Sequence, residues 1–232
     1  MDAVQFYDKI YSFKDYEQEA QQVLRVAEDH LRASGKSLLD VACGTGRHIE
    51  YLKDRYEAEG LDISEGMLAA ARIRNPNVTF HHGDMTGFEL GRSFDVITCL
   101  FSAIGYAKTL DLAGRAIACM SRHLNPGGVV IIEPWFAPTA WQAGTVHAML
   151  VDEAELKIAR VNTSFVNGRI SHFDLHHLIG TPEGTSHFVE HHELGLFEID
   201  EMKQLFTDAG LSVTYDPEGI TGRGLYVGEK PL

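Results

Sequence analysis

The apolar positions of this chain change rhythm as it proceeds. Over the first 36 residues they fall at helical spacing, with Tyr7, Ile10 and Tyr11 on one face and Ala20, Val23, Leu24 and Ala27 on the next. From there short, mainly apolar runs alternate with helical patterns. Strands are predicted over 38–43, 58–61, 78–81, 94–100 and 128–133, with helices over 47–55, 65–72 and 111–123. Strands separated by helices lie parallel in one sheet covered on both faces, so an α/β core with a mostly parallel sheet is expected. After Pro138 the period shortens to two between 145 and 196: Leu156, Ile158 and Val161, then Ile170, Phe173, Leu175 and Ile179. Thr181-Pro182-Glu183-Gly184 supplies a hairpin turn there, and three or four antiparallel strands are predicted. A helix over 199–209, ended by Gly210, and strands over 211–215 and 224–228 complete the pattern. The expected organisation is an N-terminal helical lid (1–36), an α/β core (37–138), an antiparallel β insertion (139–197) and a return to the core (198–232).

Composition narrows the function. With 44% hydrophobic and 23% charged residues, the 232-residue chain reads as globular and long enough for a substantial core. The opening MDAVQFYDKIY lacks the basic and apolar regions of a signal peptide, and the apolar run around 129–132 is far shorter than a membrane span. Cys43, Cys99 and Cys119 are odd in number and widely spaced, so buried reduced thiols and a cytoplasmic home are expected rather than a disulfide or zinc framework. Acidic residues outnumber basic ones, 33 to 20, for a net charge of −13, and no basic run stands out. Neither nucleic acid nor a membrane surface is expected as a partner.

The first predicted strand runs into a glycine turn, LLDVACGTGRHIEYL at 38–52. In an open α/β sheet, ligands bind beyond the carboxyl ends of the strands, at the switch point near the first. Gly44 and Gly46 let the main chain bend sharply toward a ligand, and a helix start at Arg47 offers N–H groups to an anion. Asp62 ends the second strand, where a carboxylate accepts bonds from a ribose diol; Asp84 follows the third, placed to accept from an adenine amino group. A dinucleotide pyrophosphate would want a third glycine where Ile49 stands, and the Gly-Lys-Ser/Thr of a P-loop is absent. S-adenosylmethionine carries no phosphate: its adenosine suits the two acids and its methionyl carboxylate the turn. It is the expected cofactor.

The motifs DVACGTGRH, GLDIS, HHGDM and Leu-Asn-Pro-Gly-Gly at 124–128 resemble those of class I S-adenosylmethionine-dependent methyltransferases. KDY at 14–16, CLFSAIGYAKT at 99–109, EPWF at 133–136 and TGRGLYVG at 221–228 carry a narrower resemblance, to the amino-sugar N,N-dimethyltransferases that act on dTDP-linked 3-amino deoxysugars in antibiotic biosynthesis. The resemblance implies the class I fold, with the β insertion roofing the acceptor pocket and forming part of a homodimer contact. With the turn and acids above, it implies cofactor contacts at Tyr11, Tyr16, Ala42, Gly44, Thr45, Gly46, Arg47, His48, Asp62, Ile63, Met67, Asp84, Met85, Leu100 and Phe101. On the acceptor side it implies Ser102, Trp135, His176 and Arg223, with Tyr106 catalytic.

Methyl transfer is an in-line displacement on a sulfonium, so the enzyme's main task is alignment of the nucleophile. An amine needs only to be unprotonated, and no strong general base is evident. Aromatic rings help through their quadrupoles, and Tyr11, Tyr16, Phe101 and Trp135 lie at strand ends or in the lid. The Tyr106 hydroxyl suits positioning of an incoming amine better than proton abstraction, which would need a pKa well below the usual value of about 10. Nucleic-acid- and glutamine-directed enzymes of this class carry Asn/Asp-Pro-Pro-aromatic after the fourth strand; this chain has Leu100-Phe101-Ser102-Ala103.

His172 with His176, and His187 with His191, show an H-x-x-x-H spacing that binds zinc on a helix. On a strand four residues span roughly 13 Å, so no metal is expected. A polar sheet face partly lining the acceptor pocket is expected instead, and His176, His187 and His192 fall where the resembling sugar enzymes also have histidine. Two departures stand out: Phe136 replaces the second tryptophan of Glu-Pro-Trp-Trp, and His172 aligns with an arginine of that family. Arg160, Arg169 and Arg223 are the candidate partners for a sugar-nucleotide pyrophosphate. Other readings remain open at this point: methylation of another small-molecule amine or a hydroxyl, a catalytically silent cofactor-binding domain, and a nicotinamide oxidoreductase.

Overall fold

The computed structural model describes residues 3–232, so the first two residues of the expected lid lie outside it. A 3-10 turn at Ala3–Phe6 leads into the short helix α1 (Tyr7–Ile10) and then α2 (Tyr16–His30). The start of α2 is set by Asp15, whose carboxylate accepts from the Gln18 N–H at 2.9 Å. Ala20, Val23 and Ala27 form its fully buried face.

The core follows as β1 (Ser37–Val41), α3 (Ile49–Leu52), β2 (Glu57–Asp62), α4 (Glu65–Arg74), β3 (Thr79–His82), β4 (Phe94–Cys99), α5 (Leu110–Arg122) and β5 (Leu124–Ile132). The insertion is β6 (Val146–Asp152), β7 (Lys157–Asn167), β8 (Ile170–Thr181) and β9 (Gly184–Gly195); α6 (Ile199–Asp208), β10 (Ser212–Asp216) and β11 (Leu225–Glu229) close the chain. Seven strands form one sheet in the order β10-β11-β5-β4-β1-β2-β3, parallel except for β11, which runs against both neighbours. Apolar clusters cover both faces: Leu39, Ile97 and Phe206 belong to one, Leu38, Val96 and Leu68 to the other. The strand order reverses between β1 and β4, which opens a crevice at their carboxyl ends.

Two elements differ from the sequence reading. The helix expected over 47–55 contracts to the single turn α3. Gly46, at φ +71°, holds the chain in a left-handed bend before it, and the Leu52 carbonyl accepts from both Arg55 and Tyr56 to end it. The Leu-Asn-Pro-Gly-Gly turn lies inside β5 as a bulge, since the register against β4 jumps between Phe94↔Leu124 and Val96↔Val129.

The insertion is a four-stranded antiparallel sheet in chain order, and the Thr181–Gly184 hairpin turn falls where predicted. Its inner face closes over the crevice. Ile158 and Ile179 pack there against Phe6 and Ile10, so the N-terminal segment lies as a strap between roof and core.

Candidate active site

Strap, roof and strand ends enclose one cavity of about 1180 Å³. A single small-molecule site is roughly 300–1,000 Å³, so this cavity has room for two ligands. Seventeen of the expected contacts line it: Tyr11, Tyr16, Ala42, Gly44, Thr45, Arg47, His48, Asp62, Ile63, Met67, Met85, Leu100, Phe101, Ser102, Tyr106, Trp135 and Arg223.

At the sheet end, the chain leaves β1 through Ala42 at φ +57° and Gly44 at φ +54°, and a Cβ on Gly44 would meet nothing within 4 Å. Asp62, buried at the tip of β2, accepts from the Gly44 N–H with one oxygen and from the Ser64 N–H with the other, both at 2.8 Å. Phe101 and Ser102 leave β4 at φ +53° and +63°. Non-glycine residues in this conformation are sparse and costly, and here they flank the strand-order reversal on both sides. The turn is tied down by Glu133, which accepts from the Phe101 N–H at 2.6 Å and from the Thr221 hydroxyl. EPWF and TGRG therefore meet at one carboxylate.

The strap is clasped to this end. Asp8 accepts from the Thr45 hydroxyl at 2.9 Å and pairs with Arg74, which also donates to the Thr45 carbonyl. Lys14, its side chain only 4% exposed, pairs with Glu19 at 2.7 Å and lies 3.9 Å above the Phe101 ring. Glu19 also holds His48 at 2.8 Å. Beneath them Asp40 accepts from the Thr98 hydroxyl, and burial raises its pKa to about 6. Tyr7, Lys14, Glu19 and Asp40 also line the cavity; the sequence reading met Lys14 and Asp40 only as members of KDY and DVACGTGRH and gave none of the four a site role.

At the roof end, Tyr106 reaches His192 of β9, with the phenol oxygen 2.7 Å from Nδ1. Burial pushes the Tyr106 pKa up, so its proton stays in place at neutral pH. The Trp135 indole donates to Ser171 at 2.8 Å. Arg223 donates to Ser102 at 2.9 Å among the rings of Phe101, Trp135 and Phe136. Arg160 lies 5.2 Å from the Tyr11 ring, and Phe173, Leu175 and Glu190 complete the inner face.

Four expected contacts fall outside the cavity lining. Gly46 does not line the cavity: a Cβ there would meet Asn75 and Ala71, so this glycine packs the turn onto α4. Asp84 lies outside the lining, exposed, with one oxygen accepting from the Thr86 N–H and hydroxyl at 2.8 Å each. His176 faces outward, because side chains alternate along β8 and Phe173 and Leu175 take the cavity side; it meets His187, also outward, at 3.3 Å. Arg169 is bound to Glu201 and the Leu196 carbonyl, away from the cavity.

Among the described residues there is no group of three or more metal-ligating side chains, and the three cysteines are buried and unpaired. The donor set suits a nucleoside bearing a cationic sulfonium and no phosphate better than a pyrophosphate, since a buried carboxylate rather than a cation closes the glycine turn. No helix among the described residues is long and apolar enough to cross a membrane.

Comparison with known proteins agrees with this geometry. Residues 38–128 match the family model for a methyltransferase domain. The chain is 40% identical, over 98% of its length and 98% of the relative's, to dTDP-3-amino-3,4,6-trideoxy-alpha-D-glucopyranose N,N-dimethyltransferase of Streptomyces venezuelae. Its fold matches the crystal structure of Streptomyces venezuelae DesVI with a TM-score of 0.94, at 40% identity and covering 100% of this chain and 99% of that one. It matches S-adenosylmethionine-bound CalS10, an amino pentose methyltransferase of Micromonospora echinaspora, with a TM-score of 0.88, at 38% identity and covering 97% and 96%.

Proposed function

We propose a function from one premise: the chain belongs to the class I S-adenosylmethionine-dependent methyltransferases, in the family of dTDP-amino-sugar N,N-dimethyltransferases. It is an S-adenosylmethionine-dependent N-methyltransferase, and its proposed acceptor is the amino group of a dTDP-linked amino deoxysugar. The observation that carries this reading is a single cavity with a nucleoside-type end at Gly44 and Asp62 and a second, aromatic and polar end under the roof.

When bound, S-adenosylmethionine supplies a sulfonium methyl: the amine lone pair forms the new C–N bond as the C–S bond breaks, and the extra proton leaves to solvent. Asp62 would hold the ribose, Gly44 and Thr45 the methionyl end, and Met67 and Met85 the adenine. Tyr11, Phe101 and Trp135 surround the route between the two ends with ring faces that favour a cation. Tyr106 orients the amine. Arg160 and Arg223, both lining the cavity, are the cations suited to a pyrophosphate. The clasped strap fixes the alignment, which is where most of the rate arises in such displacements. Incubation with S-adenosylmethionine and a panel of dTDP-amino sugars, read by product mass, tests the assignment. Methylation only of hydroxyls, or of unrelated amines, would replace it.

We also propose that the protein works as a homodimer, in the cytoplasm, where a nucleotide-linked substrate and three unpaired thiols are at home. The outward face of the insertion supports the dimer: Val146, Leu150, Phe165 and Leu178 are exposed there, Leu150 to 75%, beside His176 and His187. Exposed apolar side chains on a sheet face suit a self-complementary two-fold contact with a second copy.

A further inference from the structure

An amine can be methylated only if its lone pair faces the methyl group, so the hydrogen bonds around the nitrogen must run in one direction. Tyr106 sits in the 3-10 turn Ala103–Ala107, whose Gly105 is wedged between β9 and Trp135: a Cβ there would lie 2.9 Å from Leu194 and 3.0 Å from Trp135. Its neighbour His192 is paired with Phe173 across β8 and β9, and the two rings stack at 5.3 Å with 13° between their planes. Nδ1 of His192 lies 2.7 Å from the phenol oxygen, while Nε2 is buried without a hydrogen-bond partner.

Two arrangements satisfy this contact. If Nδ1 carried the hydrogen and donated it, the phenol proton would turn to the cavity and engage the amine lone pair, the electrons that methyl transfer requires. If the phenol donates to Nδ1, the phenol oxygen is left to accept an N–H, and the lone pair is free. Burial and Arg160 lower the His192 pKa, and burial raises that of Tyr106, so a neutral imidazole faces a protonated phenol and the second arrangement is available at neutral pH.

We propose that His192 is a positioning residue acting through Tyr106: by accepting the phenolic hydrogen at Nδ1, it makes Tyr106 a hydrogen-bond acceptor toward the substrate amine. This deepens the function proposed above and rests on an amine acceptor. It also supplies a counting rule. An uncharged primary amine has two N–H groups to offer Tyr106, the monomethylated amine has one, and the dimethylated amine has none. The contact that orients the first and second transfers is absent for a third.

Nitrogen-15 NMR of the histidine-labelled full-length protein reads the tautomer without turnover, with the His192 signals identified by their loss in His192→Asn or their shift in Tyr106→Phe. The expected result is a bare Nδ1 and a protonated Nε2; a hydrogen on Nδ1 overturns the proposal. In turnover of a primary amino sugar, Tyr106→Phe and His192→Leu are each expected to lower kcat two- to tenfold, the range of one neutral hydrogen bond. The double variant should be no slower than the slower single variant, and His192→Asn, which keeps an acceptor near the Nδ1 position, should recover most of the loss. Additive losses overturn the proposal. Absence of any amine methylation by the unaltered protein would instead overturn the function itself, while the tautomer result would stand.

Discussion

Asp62 accepts the Gly44 N–H at 2.8 Å, so the carboxylate at the tip of β2 closes the turn that follows β1. Its other oxygen takes the Ser64 N–H, and each oxygen retains a further lone pair for a ligand hydroxyl. Asn at this position would satisfy one backbone donor and set an NH2 group against the other. Asp62→Asn is therefore expected to weaken S-adenosylmethionine binding by about 1.5–3 kcal/mol, the range of a bond to a charged group, and to lower the melting temperature. Calorimetry and thermal unfolding measure both; unchanged affinity in a folded variant would remove Asp62 from the cofactor site.

Tyr106 is held at its hydroxyl by His192, and its raised pKa makes it a poor base. Tyr106→Phe should lower kcat by up to about tenfold and leave cofactor affinity unchanged. Loss of all turnover with binding intact would make Tyr106 an essential acid or base.

Asp40 is buried at the base of the cavity with a pKa raised from the model-peptide value of 3.8 to about 6. A raised carboxylate pKa means that the folded state binds the proton more tightly than the unfolded one. Stability therefore falls as pH rises from about 4 to about 6, and is level beyond. Asp40→Asn keeps an acceptor for Thr98 and removes the buried charge, so it should be more stable than the parent at pH 8, by at most about 3 kcal/mol, and no more stable at pH 3.5. Urea denaturation at the two pH values measures the difference. A gain equal at both would assign the effect to packing rather than ionisation.

Leu150 and Leu178 stand exposed on the outward face of the insertion. Leu150→Asp with Leu178→Asp should convert a dimer to a monomer in light scattering while cofactor binding persists. A parent protein that is already monomeric would contradict the dimer.

The parallel core was legible because β1, β4 and the end of β5 are buried on both faces and read as predominantly apolar runs. The acceptor side was legible only in part. The hairpin at Thr181–Gly184 pairs Phe173 with His192 and Leu178 with His187, so the turn together with the inward Phe173 already implies His192 inside and His176 and His187 outside. Spacing along one strand, without that register, suggests the wrong histidine. Asp84 differs for another reason: a strand-end acid serves a ligand or its own turn, and one of its oxygens accepts from Thr86 two residues on. The clasp of Asp8 on Thr45 and Arg74 joins segments 37 and 66 residues apart, and no local pattern records it.

Parallel calorimetric titrations of the full-length protein with S-adenosylmethionine and with NADH test the whole account most directly. Saturable binding of one S-adenosylmethionine per chain, absent for NADH and weakened in Asp62→Asn, is the predicted result. Binding of NADH with no heat from S-adenosylmethionine would contradict it.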